Sequence, residues 1–498
     1  MPGLVEKVFR KSVSVAVMAL SRYNRRRMPE LEQPHPFLTG LFAPMSRELT
    51  LHELPVRGQI PLPLNGRYLR IGPNPIVPPQ AAGHHWFVGD GMLHGIRLQG
   101  GRAVWYRNRW VRSSAVSQQL GEAPAPGPRR FNDTVNTNVL AHGGRLWALV
   151  EAGGYPVALG EELQTLAYDP FGGSLKGSFS AHPHVDPATG QAHAICYDAE
   201  YHQTVRHVVL GADGRVIRDE PIAVRGGPGI HDCMITPRYV LVLDLPVTFS
   251  MATLVAGHSF PYRWNPGHRA RVGVLKRNAP GSSIVWCDVD PCYVFHGVNA
   301  FENDDGTITL DVVAHQTMFA RSHTGPDAQD TALERWTVDV DALRVSRRVL
   351  DAQAQEFPRI NEARTGQAYR YVYTVSYERV GADGFTSDAR LFKHDLEAGT
   401  RQVHDFGKGR HAGEFVFEPR CPGGAEDEGW LMGYVVDETT QTTDFVILDA
   451  QDFAAPPVAV VTLPHRVPAG FHGNWVADAD LALPQTSFVM PRAVDGPF

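Results

Sequence analysis

From about Arg67 onward the chain is a succession of short runs rich in β-branched and aromatic residues. "AVWYRNRWV", "RYVLVLDLPV", "TITLDVVA", "AYRYVYTVSY", "GWLMGYVV", "DFVILDA" and "VAVVTL" are separated by turn signals such as "NDDG", "GADG", "PATG" and "EAGT". This pattern predicts short antiparallel strands. It predicts no amphipathic helix of twelve residues or more beyond the N-terminal segment. The stretches "GEAPAPGPRR" at 121–130 and "HSFPYRWNPGHRAR" at 258–271 read as long surface or cap loops, lacking the length and polarity of domain linkers. So much antiparallel strand must protect its sheet edges. A β-propeller does so by radial repetition, with four strands per blade around a central channel. At roughly 55–65 residues per blade the strand region holds about seven. No repeat signature of the GH…WD kind is present. A pair of β-sandwiches is the alternative.

The N-terminus follows a different period. In "VEKVFRKSVSVAVMALSRYNRRRM", Val5, Phe9, Val13, Val17 and Leu20 recur every three or four residues and form one apolar helical stripe. Lys7, Arg10, Lys11, Arg22, Arg25, Arg26 and Arg27 surround it. The run is too short for a membrane span of about 20 residues. Its h-region is broken by serines and no small-residue cleavage site follows, so it does not read as a signal peptide. Two readings stand: a solvated or core-docked helix, and a basic amphipathic helix on an anionic membrane surface through residues 1–30. The expected organisation is a segment 1–35 followed by one catalytic propeller domain, 36–498.

Composition narrows the function classes. The 498 residues are 43% hydrophobic and 20% charged, with net charge −6, which argues against a nucleic-acid surface. The five cysteines, Cys196, Cys233, Cys287, Cys292 and Cys421, include no CxxC pair. They read as reduced thiols in a cytoplasmic setting, neither a disulfide framework nor a zinc ribbon.

Among 22 histidines, four share a local character: His182 in "SAHPHVDPATG", His231 in "GPGIHDCMIT", His296 in "YVFHGVNAFE" and His472 in "GFHGNW". Each lies where a strand meets small residues, as inner propeller strands do near the axis. Their successive gaps, 49, 65 and 176 residues by subtraction of the residue numbers, correspond to about one, one and three blades at the blade length above. Four neutral imidazoles are an unusual donor set. Structural zinc sites generally include thiolate and catalytic zinc usually has three protein ligands. A four-histidine site would leave Fe(II) at its full charge with positions free for O2, while zinc or copper also suits imidazole. Carboxylates behind the rings would fix their tautomers. Glu151 in "LVEAGG", Glu356 in "QEFPRIN" and Glu414 in "HAGEFVFEPR" are the candidates, since each stands in an apolar strand context where a buried carboxylate needs a partner.

Eight ordered motifs from about residue 36 to 476 carry a family resemblance. They are "NGRYLRIGPNP", "HWFVGDGMLHG", "WYRNRWVR", "NTNVLAHGGRLWALVEAG", "AHPHVDPATG", "IHDCMIT", "EFPRINE" and "RVPAGFHGNW". The chain resembles the carotenoid cleavage oxygenases, and among them the bacterial enzymes of mycobacterial type. The resemblance implies an all-β fold, a seven-bladed propeller with a helix and loop cap over its axis. It implies Fe(II) held by His182, His231, His296 and His472, with Glu151, Glu356 and Glu414 behind them. Thr137 in "NTNV" matches the small residue beside one open iron position. Phe87 and Phe295 are candidates for the lining of a substrate tunnel, with ordinary core packing the alternative. The implied reaction is oxidative scission of a carbon–carbon double bond of an apolar carotenoid or apocarotenoid by O2, giving two aldehyde or ketone fragments.

Three alternatives remain from the sequence. Cleavage of phenolic stilbenes or related lignin-derived aromatics would ordinarily use a lysine shortly before the "NTN" stretch. No lysine lies there, although Arg129 or Arg130 could substitute. Isomerisation of a retinoid ester is a second. A metal-free propeller that only binds partners is the third, from another class. The residues do not say which double bond is cut, nor the oligomeric state.

Overall fold

The computed structural model describes residues 4–380 and 384–481, with side chains for all of these except 4–14, 329, 379, 380, 384 and 385. The second "GADG" turn and the end of the predicted domain beyond 481 therefore fall outside the described residues. The molecule's regular secondary structure is almost entirely strand. Between Asn138 and Asp405 the four-stranded units follow one another in chain order. One sheet holds Asn138–His142, Arg145–Leu149, Val157–Leu159 and Thr165–Tyr168. The next holds His184–Val185, Ala192–Cys196, Thr204–Leu210 and Val216–Ala223. An eight-stranded sheet comes next and consists of two four-stranded antiparallel meanders. They begin at Cys233–Ile235 and Tyr293–Glu302 and are joined only by the parallel pair Asp288↔Arg344. A further meander begins at Gln355–Arg359, and a six-stranded sheet carries Arg410–Ala412, Val416–Pro419 and Gly429–Asp437. The arrangement is that of a β-propeller.

The ring is closed by strands from the two ends of the chain. Gly473–Ala477 pairs antiparallel with Gly66–Pro73, Arg70 facing Gly473, and Val56–Gly58 pairs with Ala459–Leu463. Pairing an early strand with a late one leaves no gap in the ring through which sheets could separate. Gly473 is required at this seam: a Cβ there would stand 2.5 Å from the Leu69 carbonyl oxygen. Apolar cores fill the spaces between neighbouring sheets. Trp147 and Leu149 of one sheet pack with Ala194 and Val208 of the next, and Tyr68 and Ile96 of the closing sheet pack with Trp430 and Phe445. The strand Gly66–Pro73, flanked on both sides by paired strands, is buried at every position, including Arg67 and Arg70.

Helices are few. The N-terminal helix, Leu4–Arg25, meets a short helix, Met251–Ala256, just before the second predicted cap loop, which itself carries the short strand Tyr262–Trp264. Its last turn is tied down by Asn24 Nδ2 donating to the Val255 carbonyl at 2.7 Å and Arg25 Nε donating to the Gly257 carbonyl at 2.6 Å. These side chains satisfy carbonyls at the end of the shorter helix. Val15, Leu20 and Tyr23 are exposed while Val17 is half-buried. The side chains of Val5, Phe9, Val13, Lys7, Arg10 and Lys11 lie outside the described residues. No described helix is long and apolar enough to cross a membrane.

Candidate metal centre

Four strands bring an imidazole each, near their starts, to one point. His182 precedes the strand His184–Val185, His231 precedes Cys233–Ile235, and His472 precedes Gly473–Ala477, while His296 lies inside Tyr293–Glu302. One ring nitrogen from each lies within 4.8 Å of those of the other three. His296 Nε2 stands 3.3 Å from His231 Nε2 and 3.2 Å from His472 Nε2. Two nitrogens held about 2.1 Å from a common ion stand about 3.0 Å apart at a right angle and about 3.4 Å apart at a tetrahedral one.

Behind three of the rings stand the three glutamates. His231 Nδ1 donates to Glu151 Oε1 at 2.9 Å, His296 Nδ1 to Glu356 Oε2 at 2.5 Å, and His472 Nδ1 to Glu414 Oε1 at 3.1 Å. A carboxylate at Nδ1 fixes the tautomer so that the lone pair sits on Nε2. The Nε2 atoms therefore face one another as acceptors, a contact that is favourable only with a cation between them. His182 Nε2 is likewise buried and has no hydrogen-bond partner. The donor set fits a metal ion that takes four imidazoles. The backbone helps aim the carboxylates: Ala152 and Phe357, the residues after Glu151 and Glu356, are left-handed at φ 49° and 52°. Glu356 sits where the register with Tyr371–Val380 shifts, the kind of bulge that re-aims a side chain.

Charge is distributed accordingly. Burial, then the three other imidazoles, holds His182 well below the usual histidine range. Burial lowers His472 while Glu414 opposes it. Burial also lowers His296, but the Glu356 charge outweighs it and the net shift is upward. Burial would raise Glu414, yet His472 and Arg359 hold it at about 2. Glu356 lies below the usual carboxylate range because His296 and His315 outweigh its desolvation.

Thr137 is buried beside this group. Its carbonyl accepts the His472 amide at 3.2 Å, and its hydroxyl donates to Asn136 Oδ1 at 2.9 Å. On the cap side an aromatic wall faces the imidazoles. Phe87 makes edge contacts with Phe260, Phe295, Phe319 and Phe471, and Phe295 packs edge-on against His231. Phe295 thus stands against His231 and His296, and Phe87 lies one ring further out, behind Phe295 and Phe471; Phe260 and Phe319 carried no sequence signal that separated them from core aromatics.

Sequence reasoning also passed over Asp232, next to His231. Its Oδ1 accepts from His184 Nε2 and the Cys233 amide, both at 2.7 Å, and its Oδ2 accepts the Gly297 amide at 2.9 Å. One carboxylate therefore links the segments that carry His182, His231 and His296. The motif "IHDC" held the signal: an acid directly beside a candidate ligand.

The sequence profile of the retinal pigment epithelial membrane protein (RPE65) family matches residues 42–477. The chain belongs to the RPE65/carotenoid oxygenase family. It is 40% identical over 493 residues to a carotenoid cleavage oxygenase of Mycobacterium tuberculosis, covering 89% of this chain and 98% of that relative. A cobalt-substituted apocarotenoid oxygenase of Synechocystis superposes with a TM-score of 0.78 at 29% identity, covering 87% of this chain and 97% of that one. A lignostilbene dioxygenase of Pseudomonas brassicacearum shares the fold with a TM-score of 0.79 at 24% identity, covering 90% and 100% of the two chains.

Proposed function

We propose that this family member is a non-haem Fe(II) dioxygenase that cleaves a C=C bond of a carotenoid or apocarotenoid, with residues 36–498 acting as one catalytic unit. The observation that carries the reading is the meeting of His182, His231, His296 and His472 with Glu151, Glu356 and Glu414 behind three of them, under an aromatic wall. In this reading the four Nε2 atoms hold the iron and the three carboxylates keep the rings oriented and electron-rich. Fe(II) bound there supplies activation of O2 for scission of the double bond into two carbonyl products. The chain's own groups orient and exclude. Phe87, Phe295 and Phe471 give a flat polyene an apolar surface and keep water away, and Thr137 crowds one side of the site. No proton transfer by a side chain is called for.

The 40% identical relative is named a carotenoid cleavage oxygenase, which supports an apolar substrate of this class. The stilbene alternative lacks its lysine, and both arginines that could substitute are already engaged: Arg129 Nε donates to Asp133 at 2.8 Å and Arg130 donates to Asp198. The exposed Val15, Leu20 and Tyr23, with Arg22, Arg26 and Arg27 nearby, support peripheral contact with an anionic membrane by a cytoplasmic protein. The test is to incubate iron-loaded protein with a carotenoid panel and a hydroxystilbene and to read the products by mass. Paired aldehydes or ketones from carotenoids are expected. Products from the stilbene alone would overturn the substrate, and metal-free, inert protein would favour a binding propeller.

A further inference from the structure

Glu356 is braced from a side that the proposed ligand set does not use. Its Oε2 accepts from His296 Nδ1 and from the Phe357 amide, the latter at 2.7 Å, and its Oε1 accepts from His315 Nε2 at 2.8 Å. His315 lies in the strand Ile308–Thr317 with no exposed surface, and its other nitrogen, Nδ1, is 2.8 Å from the hydroxyl of Thr331. Thr331 is its register partner on the neighbouring strand. The carboxylate defines the roles: it accepts only, so His315 Nε2 carries the proton and Nδ1 accepts from Thr331. The result is a line of hydrogen bonds, Thr331 to His315 to Glu356 and on to the Nδ1 face of His296.

We infer that His315 is a positioning residue for the metal centre, fixing the plane of the Glu356 carboxylate and through it the ring of His296. This rests on the four-histidine reading and extends it one residue further out. The physical reason is the softness of the carboxylate torsion, which is broad and nearly two-fold. Two donors on Oε2 leave Oε1 able to swing; a third donor on Oε1 removes that freedom. Without His315, Oε1 would be a buried acceptor with no donor, which is unfavourable, and rotation to find one would break the bond to His296. Glu414 obtains the same bracing by other means, from the Gly473 amide at 2.8 Å on its second oxygen and from Arg359 at 3.5 Å. Partners of this kind typically change metal affinity about 10- to 100-fold.

The experiment compares His315→Gln, His315→Asn and His315→Leu with the wild type, each loaded with Co(II). The visible absorption of the bound ion and its rate of release to a chelator are measured, together with the unfolding midpoint of the metal-free form. Glutamine carries an N–H donor to about the place of Nε2, whereas asparagine reaches only about as far as Nδ1. We expect the Leu and Asn variants to release cobalt about 10-fold faster with an altered spectrum. The Gln variant is expected to keep the wild-type spectrum and release within about 3-fold, a fraction of that effect. Thr331→Val, which leaves Glu356 untouched, should shift release in the same direction by less. Wild-type spectra and rates in the Leu and Asn variants would overturn the inference. So would equal losses in all three variants that merely follow lower unfolding midpoints. A wild type that takes up no cobalt would overturn the metal reading itself, and this inference with it.

Discussion

Asp232 Oδ2 accepts the amide of Gly297 at 2.9 Å, so the carboxylate beside one candidate ligand, His231, holds the strand that carries another, His296. The spacing of the imidazoles is thereby set by a hydrogen bond between two meanders as well as by the propeller's curvature. Removing the carboxylate in Asp232→Ala leaves the Gly297 and Cys233 amides and His184 without their acceptor. At about 1–3 kcal/mol for each of the two buried amides, a loss of about 2–6 kcal/mol is expected, together with reduced metal occupancy. Chemical denaturation and elemental analysis check this; an unchanged midpoint with full occupancy would show that the link is idle.

Neutralising a carboxylate behind a ring should act on the metal more than on the fold. Glu414→Gln keeps the volume but removes the charge that faces His472. Metal affinity is expected to fall about 10- to 100-fold, measured by competition with a chelator. His231→Ala should abolish stoichiometric binding while leaving the circular dichroism spectrum of a β-protein intact.

Acid should destabilise the metal-free protein. Burial, with His35 and Arg25 adding to it, depresses His84 to about 3; burial and then Arg277 depress His193 to about 3; burial depresses His394 to about 4. Each is neutral in the folded chain at pH values where the unfolded chain, with a histidine pKa near 6.5, is protonated. The unfolded state therefore binds more protons below about pH 6.5, and stability falls with falling pH. His296 and His184, whose shifts are upward, act in the opposite sense but are outnumbered. The melting midpoint should drop by roughly 5 °C or more between pH 6.5 and 4.5; a flat profile over that range would contradict the assignment of these rings as buried and neutral.

The aromatic wall should control substrate handling separately from the metal. Phe87→Ala removes the ring that touches Phe260, Phe295, Phe319 and Phe471. We expect unchanged metal content and a rise in KM of about tenfold, the equivalent of about 1.4 kcal/mol, for an apolar polyene. A fall in metal content instead would place Phe87 among the groups that support the imidazoles.

Much of this is legible in the sequence. The strand runs and their turns are local signals, since β-branched and aromatic residues bounded by glycine, asparagine and aspartate read as strands without tertiary information. His182, His231, His296 and His472 were singled out by small or apolar neighbours and by resemblance, and the structure brings one nitrogen from each within 4.8 Å of those of the other three. Glu151, Glu356 and Glu414 were marked by the oddity of acids in apolar strands. The N-terminal helix was predicted from its 3.6-residue period; its docking through Asn24 and Arg25 onto Val255 and Gly257 was not, because both acceptors are backbone carbonyls more than 230 residues away.

The sequence by itself determined the strands, the short cap helices' scarcity, and which imidazoles and acids were out of place in their surroundings, because each depends on neighbours in the chain. Only the tertiary structure decided that Asp232 joins the three segments that carry His182, His231 and His296, that His315 reaches Glu356 from another strand, and that Phe260 and Phe319 belong to the wall beside the histidines. These are contacts between residues 41 to 232 positions apart, and a hydrogen bond or ring contact at that separation leaves no periodicity or local composition by which a sequence could announce it.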